Sequence, residues 1–266
     1  MKSWSGVAKS VLGFGLLAQL VGCGASQDAS DVSVTNGREV KDGEYPSVVL
    51  LYDQSAGAIC TGTFVSPTRV LTAAHCTMSG EVDAEGRVAD LKLAIIKIAD
   101  PVNKKAELIG TSTAVFRNPL WDKNGKNVNK YDLGVVEFAP GVSKAVSQLA
   151  AGAPAVGESL TIVGYGLNQT TNMNDPASAG VKRVGVNKVA SLADGFIQFT
   201  GANKTSNGNG TNSSAASGDS GGPLFINGKV AGVTSGGGFG GFGSTRSLYV
   251  NLSSPESKAF LSKVLN

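Results

Sequence analysis

Short apolar runs, each stopped by glycine, serine or asparagine, recur along this chain and constrain it to a β fold. Ser47-Val48-Val49-Leu50-Leu51-Tyr52, Gly62-Thr63-Phe64-Val65, Arg69-Val70-Leu71-Thr72 and Leu91 to Ile98 read as strands, and Asp132 to Phe138 is a further apolar run. Pro140-Gly141 and the Ala/Gly/Pro stretch from Ala150 to Gly157 mark a linker. A second set of strands follows: Ser159 to Val163, Val181 to Ala190, Phe196 to Thr200, Pro223 to Ile226, Lys229 to Thr234 and Ser247 to Leu252. Strands of this length and spacing point to a barrel or a sandwich, with the 36 glycines serving tight turns. The tail, Pro255 to Leu265, carries Ala259, Phe260, Leu261, Val264 and Leu265 and reads as a short amphipathic helix. Gly201 to Ser214 reads as a long polar surface loop, and the Asn-x-Ser/Thr sequons at Asn168, Asn203 and Asn212 mark polar loops.

Hydrophobic residues make up 41% of the 266 and charged residues 16%, which suits a buried globular body and argues against a disordered chain. A net charge of +3 without a Lys/Arg cluster leaves no footprint for nucleic acid. Residues 1–25 have the pattern of a targeting segment: Lys2 and Lys9, then an apolar stretch from Val11 to Val21 that is too short and glycine-rich for a membrane span. Leu20-Val21-Gly22-Cys23 has the look of a bacterial lipobox, which makes Cys23 a lipidation candidate; an ordinary export signal cut after Ala25 would discard it. Either way the protein is expected to leave the cytoplasm, as a surface or outer-membrane lipoprotein or as a periplasmic or secreted protein. Export permits a Cys60–Cys76 disulfide, worth about 3 kcal/mol in the chain-entropy model. Residues 26–33, small and polar, read as a tether or propeptide.

Four segments carry the chemistry. Gly218-Asp219-Ser220-Gly221-Gly222-Pro223 bends the backbone around a serine, whose hydroxyl needs an adjacent base and an oxyanion site before it can attack. Leu71-Thr72-Ala73-Ala74-His75-Cys76 contains His75, the chain's sole histidine, which taken alone reads as structural more readily than catalytic. Tyr131-Asp132-Leu133-Gly134-Val135-Val136 sets an aspartate before an apolar strand. Val34-Thr35-Asn36-Gly37 is followed by Tyr45-Pro46, with Pro46 lying 12 residues after Val34.

Together these segments resemble the chymotrypsin/trypsin family of serine peptidases over about residues 34–266. The order His75, Asp132, Ser220 matches that family rather than the subtilisin or α/β-hydrolase orders. The resemblance implies an all-β fold of two six-stranded antiparallel β-barrels with a short C-terminal α-helix. The first barrel would span about 34–145, the second about 146–252 and the helix about 255–265. It implies His75, Asp132 and Ser220 as catalytic triad and the amides of Gly218 and Ser220 as oxyanion hole. The 16-residue spacing of Cys60 and Cys76 resembles the family disulfide that pins the base-bearing loop. Cleavage at Ser33–Val34 would free an amine to pair with Asp219. Gly164-Tyr165-Gly166 resembles the family's Gly-Trp-Gly. Gly232 to Gly237 resembles the strand lining the cleft, with Ser235 beneath Asp132 and Gly237 pairing with substrate. Ser214, Ala215, Ala216, Ser235 and Gly237 would line a small neutral pocket that favours apolar or aromatic side chains over basic ones. Ser247 would intrude on that pocket, and Arg246 raises an acidic preference as an alternative.

The expected activity is therefore serine endopeptidase. Its partners are polypeptide substrates and an activating protease, since Ser33 is neither basic nor large. No cofactor or metal is expected, a multi-histidine zinc site being excluded by one histidine. Nucleic acid is not expected as a partner, membrane contact would come only through a lipid at Cys23, and a monomer is expected. A non-catalytic binding protein of the same fold and a lipid-anchored adhesin are the competing readings.

Overall fold

The computed structural model describes residues 34–100, 105–123, 125–167, 179–206, 208–241 and 243–265. The expected signal segment, the tether, Cys23 and the sequon at Asn168 lie outside the described residues. After a two-residue strand β1 (Arg38–Glu39) come β2 (Val48–Asp53), β3 (Ala58–Phe64) and β4 (Arg69–Thr72), then a 3-10 turn at His75–Thr77. β5 (Leu93–Asp100), β6 (Lys105–Arg117), helix α1 (Pro119–Lys123) and β7 (Gly134–Phe138) follow. β2 to β7 close into a six-stranded barrel in the order β2-β3-β4-β7-β6-β5, every pair antiparallel. Leu51, Phe64, Val70, Leu93, Ile95, Val115, Val136 and Phe138 fill it, which is what the period-two apolar pattern of those strands demands.

The remaining strands are β8 (Ser159–Gly164), β9 (Arg183–Lys188), β10 (Ser191–Ala193), β11 (Phe196–Ala202), β12 (Pro223–Ile226), β13 (Lys229–Gly241) and β14 (Ser244–Asn251). They form one antiparallel eight-stranded sheet with β1, in the order β1-β9-β8-β12-β13-β14-β11-β10. The second unit was expected as a six-stranded barrel. Its six longer strands are all present, and the short β1 and β10 extend the two edges. β10 exists because Asp194 and Gly195 both take positive φ, 53° and 83°, a two-residue turn that folds it back on β11. Asn227-Gly228, at φ 50° and 75°, turns β12 into β13 the same way. Between β9 and β11 the side-chain amide of Asn187 bridges instead, donating to the carbonyls of Thr200 (3.1 Å) and Ser213 (2.8 Å).

A further apolar cluster joins the two halves. Val48, Leu71 and Leu133 come from the barrel side, Val163, Phe225 and Val233 from the sheet, and Phe260, Leu261 and Val264 from helix α2 (Pro255–Val264). Ser254 caps α2 by accepting from the Ser257 amide at 3.2 Å, with Pro255 at the first helical position. The sequence reading missed β6. Its first half is exposed on both faces, so no apolar alternation announces it; burial begins only at Ser112, and a bulge between Ser112 and Ala114 shifts it to Val115 and Arg117.

Candidate active site

The barrel delivers His75 and Asp132. β4 runs into Ala73 and Ala74, both fully buried, and the 3-10 turn then presents His75 at its start. Cys76, the next residue, is bonded to Cys60 on β3 with Cα atoms 6.2 Å apart, so the turn is tied covalently to the barrel wall. Asp132 precedes β7 in a tight turn in which its own amide donates to Asn129 O at 3.0 Å. Its side chain is 0% exposed. A carboxylate that far from water needs donors, and it has three. The His75 amide donates to Oδ1 at 3.0 Å, His75 Nδ1 lies 2.8 Å from Oδ2, and the Ser235 hydroxyl donates to Oδ2 at 2.5 Å. Ser235 belongs to β13, so the sheet also grips the barrel's aspartate.

Burial pushes the His75 imidazole toward its neutral form, but the charge and hydrogen bond of Asp132 outweigh it, and the net direction is upward from the ordinary histidine value. A carboxylate on Nδ1 fixes the tautomer with Nδ1 protonated, leaving the Nε2 lone pair as the basic site.

The sheet delivers Ser220. Gly218 and Gly221 hold φ of +92° and +80°, which bends the chain around the serine. A Cβ at Gly221 would lie 2.0 Å from Thr72 Oγ1 and 2.9 Å from the Ala73 amide, so this turn is pressed against the strand that carries His75. Thr61 of β3 holds it there: its amide donates to Ser220 O at 2.8 Å and its hydroxyl to Gly218 O at 2.9 Å. The amides of Asp219, Gly221 and Gly222 are each spent on a carbonyl. Among the described residues, no carbonyl takes the amides of Gly218 or Ser220, the two that the sequence reading assigns to an oxyanion.

Asp219 is a second buried carboxylate, 1% exposed. It accepts from the amides of Gly166 and Ala216, each at 2.9 Å, and from the backbone amide of Val34; Arg183 adds positive charge nearby. Burial still pushes its pKa up to about 7, because none of these partners is a full charge in contact. The reason for Gly164-Tyr165-Gly166 is now physical. A Cβ on Gly164 would stand 1.9 Å from Asp219 Oδ1, and one on Gly166 would stand 2.5 Å from Ser217 O and 2.9 Å from Asp219 Cγ.

The pocket candidates cluster beside this turn. Ser214, Ala215, Ala216 and Ser235 are buried, and Gly237 pairs with Ser247 across β13 and β14. Ser214 Oγ is committed to Ala202 O at 2.6 Å, and Ser247 Oγ accepts from the Ala215 amide at 3.0 Å. Arg246 is exposed between buried Thr245 and Ser247, so it points to the other face of β14. Cys60, His75 and Cys76 form the one cluster of ligand-type atoms found among the described residues, within 4.8 Å of one another, but the two sulfurs are bonded to each other.

A family model described as trypsin matches residues 34–256. The chain belongs to the trypsin family. It is 28% identical over 223 residues to snake venom serine protease 3 of Protobothrops flavoviridis, covering 80% of this chain and 79% of the relative. It is 26% identical over 248 residues to snake venom serine protease KN6 of Trimeresurus stejnegeri, covering 88% and 86%. It is 24% identical over 208 residues to a trypsin of Saccharopolyspora erythraea, covering 76% and 86%. The matched region starts at Val34, the first described residue, and takes in all the site residues above.

Three groups around this trypsin-family site escaped the sequence reading. Asn36, at φ +59°, donates to Thr211 O at 2.7 Å and accepts from the amides of Ser206 and Gly208, both at 3.2 Å, so it organises the polar loop before Ser214. Arg183 and Arg117 are buried cations, and the two carbonyls that take the Arg117 fork, Thr77 and Gly80, lie 40 and 37 residues away in sequence. Only the Asn-Gly dipeptide carried a local signal, that of a turn.

The steric reading of Gly164 is testable. Gly164→Ala is expected to lower the unfolding free energy by about 1–3 kcal/mol through overpacking on Asp219, measured by denaturant titration. A folded variant of unchanged stability would show that the carboxylate is not seated against this strand.

Proposed function

We propose that this chain is an exported serine endopeptidase whose nucleophile is Ser220 and whose activity awaits a cut at Ser33–Val34. The observation that carries the reading is the set of three donors converging on Asp132, which fixes His75 on the barrel edge pressed against the Ser220 turn. His75 Nε2 takes the Ser220 proton as Oγ attacks the scissile carbonyl, and Asp132 stabilises the imidazolium so formed. The amides of Gly218 and Ser220 receive the developing oxyanion. His75 then gives the proton to the leaving amine, whose C–N bond breaks to leave an acyl-Ser220. Water, deprotonated by the same imidazole, hydrolyses that ester. A peptide adds to β13 at Gly237 as a strand.

The activation step rests on Asp219. In the uncut chain it faces the neutral Val34 amide, and burial holds its pKa near 7. A cut before Val34 would turn that amide into an ammonium, the full charge the site lacks. Ser33 suits neither a basic-specific nor an aromatic-specific protease, so a separate activator is required. Lys2, Lys9 and the apolar stretch before Cys23 support export, and cleavage at Ser33–Val34 would also release the enzyme from a lipid at Cys23. Among the described residues, no helix is long and apolar enough to cross a membrane. The non-catalytic readings are not favoured, because all three catalytic residue types are present.

Protein cut to start at Val34 should hydrolyse peptides with a bell-shaped dependence of kcat/KM on pH. The rising limb reports His75, above the ordinary histidine value of about 6.5, since only the neutral imidazole acts as base. The falling limb reports the Val34 ammonium, which Asp219 holds above the usual α-amine range of about 7.7–8.0; losing that proton breaks the pair. Ser220→Ala should lose at least about 10³-fold in kcat. Activity surviving in Ser220→Ala would refute the nucleophile, and an absent alkaline limb would refute the Val34–Asp219 pair.

The small neutral residues Ser214, Ala215, Ala216, Ser235 and Gly237 support apolar or aromatic side chains before the scissile bond. None of these five carries a charge to pair with a cation, and Ser214 Oγ is already committed. Substrates differing only at that residue should give kcat/KM for Phe or Leu at least about tenfold above Arg or Lys, a difference of about 1.4 kcal/mol. The reverse order would overturn the assignment.

A further inference from the structure

The end of β6 carries a guanidinium that none of the catalytic steps uses. Arg117 is 4% exposed. A buried cation persists only where its donors are matched, and a planar fork imposes fixed geometry on whatever it binds. Arg117 Nη1 donates to Thr77 O at 2.7 Å and Nη2 to Gly80 O at 2.9 Å, while Nε donates to Asp122 Oδ2 at 3.1 Å. The guanidinium also lies over the Trp121 ring, 5.7 Å from its centroid.

These partners belong to the two segments that carry the His75–Asp132 pair: Thr77 and Gly80 follow His75 in the chain, and Asp122 precedes Asp132. Thr77 closes the 3-10 turn that His75 opens, so the fork holds the far end of the turn whose near end carries the imidazole. Gly80 is three residues further on, and between them Ser79 Oγ donates to Asp53 Oδ2 at 2.5 Å, which fastens the same segment to β2. On the other side, Arg117 pairs in register with Gly134, two residues after Asp132, and the next amide, Asn118, donates to Leu133 O at 3.0 Å. Trp121, beneath the guanidinium, donates its indole N–H to Asn127 O at 2.8 Å and so shapes the loop that descends to Asp132.

We propose that Arg117 is a positioning residue for catalysis. Its fork sets the distance between the turn that bears His75 and the loop that bears Asp132, and through that distance the alignment of the imidazole. This rests on His75 and Asp132 being the working pair. It goes further by assigning their register to one side chain about 40 residues from His75 in sequence. A misplacement of about 1 Å at a reacting group can cost on the order of 10²-fold in rate, so loss of the fork should appear in kcat rather than in substrate binding.

The test uses the chain cut at Ser33–Val34, with Arg117→Gln and Arg117→Lys. Both should lower kcat, Gln by about 10- to 100-fold and Lys by less, because an ammonium keeps the charge but cannot span two carbonyls. KM should stay within about twofold. Because His75 is the only histidine, its Nδ1 proton gives a single assignable NMR signal. That signal should shift or broaden in both variants at a temperature where each is folded. Unchanged kcat in a folded variant would overturn the proposal. So would an unmoved His75 signal beside a merely lowered Tm, which would reduce Arg117 to a structural brace. If Arg117→Gln does not fold, Arg117→Lys decides by the same readouts. The His75 signal also reports positioning when no peptide is cleaved. A wild type without peptidase activity whose His75 signal still depends on Arg117 would therefore count against the proposed function and not against this inference.

Discussion

Asp132 is the carboxylate on which both halves of the molecule converge. It lies out of reach of water, where an ionisable group is tolerated only when its oxygens are met by donors. Those donors come from two different places: the His75 turn of the barrel and Ser235 of the sheet's longest strand. The barrel thus cannot set its imidazole without the sheet, and the sheet's β13 is registered against the barrel through a charge. The junction between the halves is where the His75–Asp132 pair and the Ser220 turn come together, and the apolar cluster completed by α2 keeps that junction closed.

The same physics recurs one layer deeper at Asp219. There the donors are backbone amides from three segments, and the space for the carboxylate is created by leaving Cβ atoms out at Gly164 and Gly166. Asp219 is the residue before Ser220, so whatever charge it meets is felt directly by the backbone that aims the Gly218 and Ser220 amides. The two carboxylates divide the work. One holds His75 through hydrogen bonds that need no processing of the chain. The other has most of its partners in place but lacks a full positive charge in contact, which a new N-terminus at Val34 would provide. On this reading, latency resides in an electrostatic deficit rather than in a blocked cleft.

Much of this was legible in the residues themselves. β4 and β12 match their apolar runs residue for residue, because four-residue buried strands bounded by turn formers leave no room for another register. The serine, histidine and aspartate segments were legible for a different reason: each needs particular small or polar neighbours in an unbroken stretch of chain. What stayed hidden depends on contacts between distant segments. The exposed first half of β6 has no alternation to read. The two edge strands β1 and β10, which extend the second unit beyond its six longer strands, are too short to announce themselves. Arg117 looks like any surface arginine until the fold sets Thr77 and Gly80 against it. Asn36 reads as a turn residue until Ser206, Gly208 and Thr211 meet its side chain.

We propose that Ser220 is a nucleophile activated by His75 and Asp132 and made competent by a cut before Val34. The most direct measurement is stoichiometric labelling with an organophosphorus serine reagent, read by intact mass and peptide mapping before and after specific cleavage at Ser33–Val34. One adduct per chain is expected, located on Ser220. It should form rapidly only after the cut and be lost when His75 is replaced by alanine. Equal labelling of cut and uncut chains would contradict the activation step. Absence of any adduct on Ser220 in correctly cut, folded protein would contradict the enzyme itself.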